Sequence, residues 1–200
     1  MTIKKRKGLT YLAIYDIRAV IEDCRSMVCG GIKAGIDIWE AAVLPKLLFN
    51  SSCWLDISTP TMQELESLQL DFYRCLLALG SGCPIPSLYW ETGGFMMKYR
   101  ILQAKLLLLH HIATLPGDSL AREMYEVQKD LRFPGLLLEC EDFLTDEGVL
   151  NLENYTPFQW KNLVKTNIYK LNRSEILEQM KPLKKISYKE HISEKCQLQP

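Results

Sequence analysis

TMQELESLQLDFYRCLLALGSG, residues 61–82, is the stretch on which the fold class turns. Leu65, Leu68, Phe72, Cys75, Leu76 and Leu79 recur three or four positions apart, which gathers them on one face of an α-helix, whereas a half-buried strand would alternate. Thr61 with Glu64 three residues later fits a capping box at the start, and Gly80-Ser81-Gly82 fits a stop.

The same period continues on both sides. Upstream, Ile32, Ile36, Trp39, Val43 and Leu47 form a stripe that contains Pro45, whose missing N–H and bulky ring predict a kink one turn earlier. Before it, Thr10 to Arg25 reads as a helix with Ile14, Ile17, Ile21 and Cys24 on one face, and residues 50–60 read as a loop. Downstream, Pro84 to Gly94 is rich in breakers and predicts a connector with at most one helical turn. A long helix follows from Phe95 to Ala113, then one from Asp118 with Leu120, Met124, Val127 and Leu131 as its apolar stripe, then a short one from Leu136 to Phe143. Thr156, Pro157 and Gln159 mark another N-terminus, leading through Trp160, Leu163, Val164, Ile168 and Leu171, and Ser174 can cap a further short helix to Met180. The expectation is an all-α bundle of about seven to eight helices with short connectors. Its divisions are a basic tail over residues 1–8, a helical domain over 9–144, a polar linker over 145–155, a C-terminal helical segment over 156–181 and a basic, disordered tail over 182–200.

Twenty-four basic and 24 acidic side chains cancel, but not locally. Residues 1–7 carry +4, residues 160–200 carry +5, and the rest carries −9. This excludes a chain that is basic throughout, and leaves basic ends on an acidic helical body. Apolar runs fall short of the roughly 20 residues that span a bilayer, and no signal-peptide pattern opens the chain, so an intracellular protein with no membrane partner is expected. Seven scattered cysteines with no Cys-x-x-Cys pair suit reduced core thiols better than disulfides or a zinc site.

Candidate chemistry is sparse. His110 and His111 are adjacent, hence about 100° apart on a helix, and cannot chelate one metal together. The pairs Glu22-Asp23 and Glu141-Asp142 diverge for the same reason and read as solvated charge. Gly30-Gly31 and Gly35 match no phosphate-binding fingerprint and read as helix punctuation. Trp39, Trp54, Trp90 and Trp160 could stack on bases, but core packing is their default. No catalytic residue, metal ligand or cofactor is assigned. Basic clusters remain: Lys4, Lys5, Arg6 and Lys7 at the head, Lys33 and Lys46 on the second helix, Lys161 and Lys165 one turn apart, and Lys184 and Lys185 in the tail. They are the candidate phosphate contacts.

The run from Gly31 to Trp54, with its Pro45-Lys-Leu-Leu and the Trp after a short polar stretch, resembles the segment after the palm in reverse transcriptases of non-LTR retrotransposons. The Leu68-Gln-x-x-Phe72 helix, the Pro84-Ile-Pro86 connector, Tyr99-Arg100-Ile101 and Gln159-Trp160-Lys161 resemble that family's thumb and the helices behind it, and the likeness covers about residues 10–190. The resemblance implies a thumb-like fold for residues 9–144 and a retrotransposon polyprotein fragment. That fragment would position an RNA or DNA primer–template duplex for a palm and fingers polymerase domain elsewhere. The family's aromatic-x-Asp-Asp turn has no counterpart in this sequence, so no polymerase activity is expected. A fragment of this kind should also expose an apolar face meant for the palm, at Ile14, Ile17, Trp39 and Val43. The alternative is a helical protein-interaction module without nucleic-acid binding. Lys33, Lys46, Lys98, Arg100, Lys105, Lys161 and Lys165 discriminate between them, since one concave basic stripe favours the first and scatter the second.

Overall fold

The computed structural model describes Glu22, residues 31–147 and residues 151–183. Among the described residues the fold is all-α, seven helices joined by short connectors and no strand. Gly31–Ile38, Trp39–Val43 and Leu44–Leu47 run on as one interrupted helix, α1. Then come α2 (Thr59–Leu77), α3 (Ile85–Thr92), α4 (Met97–Ala113), α5 (Leu120–Leu131), α6 (Leu136–Asp146) and α7 (Pro157–Met180). The expected first helix, with Ile14, Ile17, Ile21 and Cys24, lies outside the described residues, as do Lys4, Lys5, Arg6, Lys7, Lys184 and Lys185.

Pro45 bends α1 as its chemistry demands. Proline has no N–H to give to the preceding turn, and the chain responds with a π turn over Trp39–Val43, closed by the Leu44 N–H on the Trp39 carbonyl. Gly31 is the first residue of this helix, and Gly30 lies outside the described residues. Gly35 is no punctuation: it is buried within the helix, and a Cβ there would stand 2.4 Å from Leu76 Cδ1, so the absent side chain lets α1 lie close against α2.

Three other boundaries differ from expectation. α2 begins at Thr59 with Pro60 in its first turn, so Thr61 lies inside the helix, where it cannot cap; the Ser58 hydroxyl donates to Thr61 Oγ1 at 3.0 Å. The same helix ends at Leu77 because Ala78 adopts the left-handed region at φ 54°, before the glycines are reached. The stretch 84–94 holds a full eight-residue helix, α3, since Pro86 sits in the first turn where a missing N–H costs nothing. At the C-terminal end α7 is one continuous helix: Ser174 Oγ donates back to the Leu171 carbonyl and starts no new cap. Its own start is as expected, with the Gln159 N–H on Thr156 Oγ1 at 3.3 Å and the Thr156 N–H on Gln159 Oε1 at 3.0 Å.

Two cores form. In the first, Trp39 stacks on Phe72 with ring centres 4.5 Å apart, and Tyr73 meets Tyr89 edge-on at 5.9 Å, beside Leu65, Leu68 and Leu76. In the second, Leu106, Leu109, Cys140, Phe143, Trp160, Val164 and Ile168 pack together. α4 and α7 run through both, the first core taking Met97 and Ile101 with Ile176 and Met180, the second taking Leu106 and Leu109 with Trp160 and Val164. Leu152 and Tyr155 also pack into the second core, so the stretch read as a linker contributes to the body beside it. Burial pushes the Cys140 thiol up to about 12, which makes it an inert core sulfur. His110 is buried against Trp160, ring on ring at 5.5 Å, and its Nε2 meets the Tyr155 carbonyl at 2.9 Å, while His111 is exposed.

Glu66 is a partly buried carboxylate beside the first core. It accepts from the Tyr89 hydroxyl and from the Met97 N–H at 2.9 Å, and so ties α2 to α3 and α4. Burial raises its pKa above the ordinary 4.5, and the hydrogen bonds from Tyr89 and Met97 offset that rise only in part. The fold therefore holds this proton more tightly than the unfolded chain does, and Glu66 opposes folding increasingly as pH climbs from 4.5 through its folded pKa. Glu66→Gln removes the titration. Urea unfolding of both proteins should show the variant gaining on the wild type as pH rises from 4.5 through the raised folded pKa of Glu66. A difference that stays constant with pH would mean that Glu66 is no more costly to ionise in the fold than out of it.

Candidate functional site

Helix α5, LAREMYEVQKDL, turns its apolar stripe to solvent. Leu120 is 73% exposed, Met124 51%, Val127 45% and Leu131 70%, and Phe133 just beyond is 64% exposed. The stripe lies where the spacing of apolar residues put it, and the fold sets its direction outward. The residue that faces the core is Tyr125, about 100–160° round the helix from them. Arg122 holds that side down: its guanidinium lies 5.3 Å from the Tyr125 ring centre, pairs with Glu126 at 2.5 Å, and donates to Glu153 in the turn before α7. The hydrogen bond from Arg122, and then its charge, keep the Glu153 carboxyl below its usual range.

Burial among the described residues does not account for that orientation. Covering a large aliphatic side chain contributes about 1.5–3 kcal/mol, so exposing four of them forgoes more than one tyrosine recovers. Their 4-3-4 spacing is the seam of a coiled coil, in which Met124 and Leu131 take the a positions and Leu120 and Val127 the d positions. One flank of this seam carries Glu123 and Asp130, the other Ala121 and Gln128.

The basic residues do not form one stripe. Lys98 pairs with Glu175 at 2.6 Å, Arg100 with Glu40 at 2.6 Å, and Lys105, almost fully buried, with Glu139. Burial pushes the Glu175 carboxyl up, and hydrogen bonds from Lys98 and Tyr99 together outweigh it, so its pKa ends below the usual value. Three of the seven diagnostic cations are thus spent on internal pairs. Lys33 and Lys46 lie exposed on α1 beside the first core, and Lys161 and Lys165 lie exposed on the half of α7 that packs on the second.

Trp39, Trp90 and Trp160 are buried, so none of the three offers an open face for a base. Trp39 and Val43 are wholly buried in the first core, which corrects the expectation of an exposed palm-facing surface there; Ile14 and Ile17 lie outside the described residues. Among the described residues no three His, Cys, Asp or Glu side chains converge as a metal site, and no helix is long and apolar enough to cross a membrane. Compared with models of protein families, with curated proteins and with solved structures, the chain matches none. Sequence reasoning located the α5 stripe but not its direction, because periodicity reports that a face is apolar but not what covers it.

Proposed function

We propose that the protein is a helical interaction module whose α5 seam receives one amphipathic helix of a partner protein, apolar at 3-4 spacing and basic along the edge that meets Glu123 and Asp130. The observation that carries this reading is the outward stripe Leu120, Met124, Val127 and Leu131. The acidic flank sets the sign of the partner's charge. The reading assigns no catalytic step and no cofactor. Leu120→Gln with Leu131→Gln tests it, since both side chains are already in water and their loss should leave the melting temperature nearly unchanged. The wild type should bind a synthetic amphipathic helix with lysine flanks, and bind the same peptide with glutamate flanks at least about tenfold more weakly, a difference of about 1.4 kcal/mol. The double variant should lose the lysine-flanked peptide. Equal binding by wild type and variant would overturn the assignment, and a dimer abolished by the variant would make the occupant a second copy of this chain.

A second reading keeps the resemblance to a retrotransposon reverse transcriptase thumb, with primer–template nucleic acid as partner. It is supported by Lys33, Lys46, Lys161 and Lys165, exposed and without an ion pair among the described residues. In that reading Lys161→Gln with Lys165→Gln weakens every duplex alike and reduces the log–log salt slope by up to about 2, because phosphate contacts carry no sequence information. Three cations locked in internal pairs make it the weaker of the two.

A further inference from the structure

Between α3, the Gly93-Gly94 turn and α7 lies a cavity of about 460 Å³, within the roughly 300–1,000 Å³ that small ligands occupy. Trp90, Thr92, Gly94, Tyr169, Arg173 and Ile176 are among the residues that line it. Its walls are held in place. Asn172, buried behind it, donates to the Gly94 carbonyl at 3.2 Å and accepts from the Met96 N–H at 3.0 Å. Thr92 Oγ1 donates to the Leu88 carbonyl and accepts from the Gly94 N–H. Gly94 is pinned from the other side, since a Cβ there would fall 2.2 Å from the Tyr73 hydroxyl oxygen. The polar groups of Thr92, Gly94 and Asn172 in the wall are therefore already engaged.

Arg173 is the exception. Its guanidinium lies on the face of Trp90, 3.2 Å from the ring centre, and it makes no ion pair or hydrogen bond with any described residue. Stacking occupies the flat face of a guanidinium and leaves its five N–H donors free in the plane, the geometry that grips carboxylate or phosphate oxygens two at a time. Arg173 is thus a half-buried cation fixed on an aromatic ring, with donors that no described residue takes and a cavity beside it. Tyr169, 45% exposed, and Ile176 supply aromatic and apolar wall for the body of a ligand. Glu91 also lines the cavity, so the anionic end must seat at Arg173 and away from it.

We infer that this cavity binds a small organic anion with a planar aromatic body, its phosphate or carboxylate held by Arg173 and its ring against Tyr169. The inference is independent of the α5 seam, which is built from other residues. The test titrates phenyl phosphate, inorganic phosphate and phenol into the full chain, followed by calorimetry and by amide and arginine Nε–H shifts in NMR spectra. Phenyl phosphate should bind saturably at one site and shift the Arg173 Nε–H. Inorganic phosphate and phenol, each keeping half the contacts, should bind at least about tenfold more weakly. Benzoate in a parallel arm separates a carboxylate preference from a phosphate one. Arg173→Gln should weaken phenyl phosphate at least about tenfold, and Tyr169→Ala should erase its advantage over inorganic phosphate while leaving the latter unchanged. Tyr169 is already exposed, so that variant remains informative should Arg173→Gln disturb folding. Absence of saturable binding of phenyl phosphate and benzoate at millimolar concentration, or binding indifferent to both substitutions, would overturn the inference.

Discussion

Glu139→Ala is expected to lower the unfolding free energy by about 3–4 kcal/mol, because it strands a buried ammonium group. Lys105 Nζ donates to Glu139 Oε2 with its side chain only 8% exposed, and the other carboxylate oxygen accepts the Asp56 N–H at 2.7 Å. One carboxylate thus fastens α6 to α4 and to the loop after α1, where Asp56 stands in the left-handed region at φ 50°. Glu139 itself is 24% exposed, so water relieves part of the penalty and the lower half of the range for a broken buried pair applies. The informative companion is Lys105→Met with Glu139→Gln. Removing both charges in a similar volume should restore most of the loss, since the pair's attraction is largely consumed by the cost of desolvating it. Denaturant unfolding of Lys105→Met, Glu139→Gln and the double variant forms a cycle, with Glu139→Ala as the reference for the stranded charge. A double variant as unstable as Glu139→Ala would show that the stranded charge does not carry the effect, because Glu139→Gln keeps an oxygen that can accept the Asp56 N–H.

Trp160→Ala should cost still more, about 3–5 kcal/mol, the usual range for removing a fully buried tryptophan. Trp160 is 1% exposed at the centre of the second core. Its indole Nε1–H donates to the Leu106 carbonyl at 2.9 Å, its ring stacks on His110, and it touches Tyr155 at 5.7 Å between ring centres. A cavity there would loosen α4, α7 and the turn before α7 together. Trp160→Phe keeps much of the volume and loses the hydrogen bond, so a cost of about 1–2 kcal/mol is expected from it. Thermal unfolding of both variants decides the ranking, and an alanine variant within 1 kcal/mol of the wild type would mean that the second core can collapse around the gap, which its close packing argues against.

The two cores also explain why the expected exposed surface near Trp39 and Val43 is absent. An apolar face beside Pro45 reads equally well as a surface for a missing domain or as a wall of this one. Phe72 and Leu76, 33 and 41 positions from their partners in sequence, choose the second by stacking on Trp39 and closing against Gly35. On α5 the choice went the other way. Tyr125 and Arg122 found Glu153 and the second core, and the more apolar stripe was left outside.

What the sequence determined by itself is local: that the chain is helical, where Pro45 breaks the regular turn, and that Thr156, Pro157 and Gln159 start α7. These follow from interactions within one or two helical turns, which a few adjacent residues specify completely. What only the tertiary structure decided is which face is covered and which charge is spent. Lys98 is silenced by Glu175, 77 positions away, and Arg100 by Glu40, 60 positions away, so neither is available to a partner. Arg173 gained a ring and no carboxylate from the helix it packs against. Such outcomes depend on encounters between distant segments, and periodicity, which records only the spacing of apolar residues along one helix, contains no term for them.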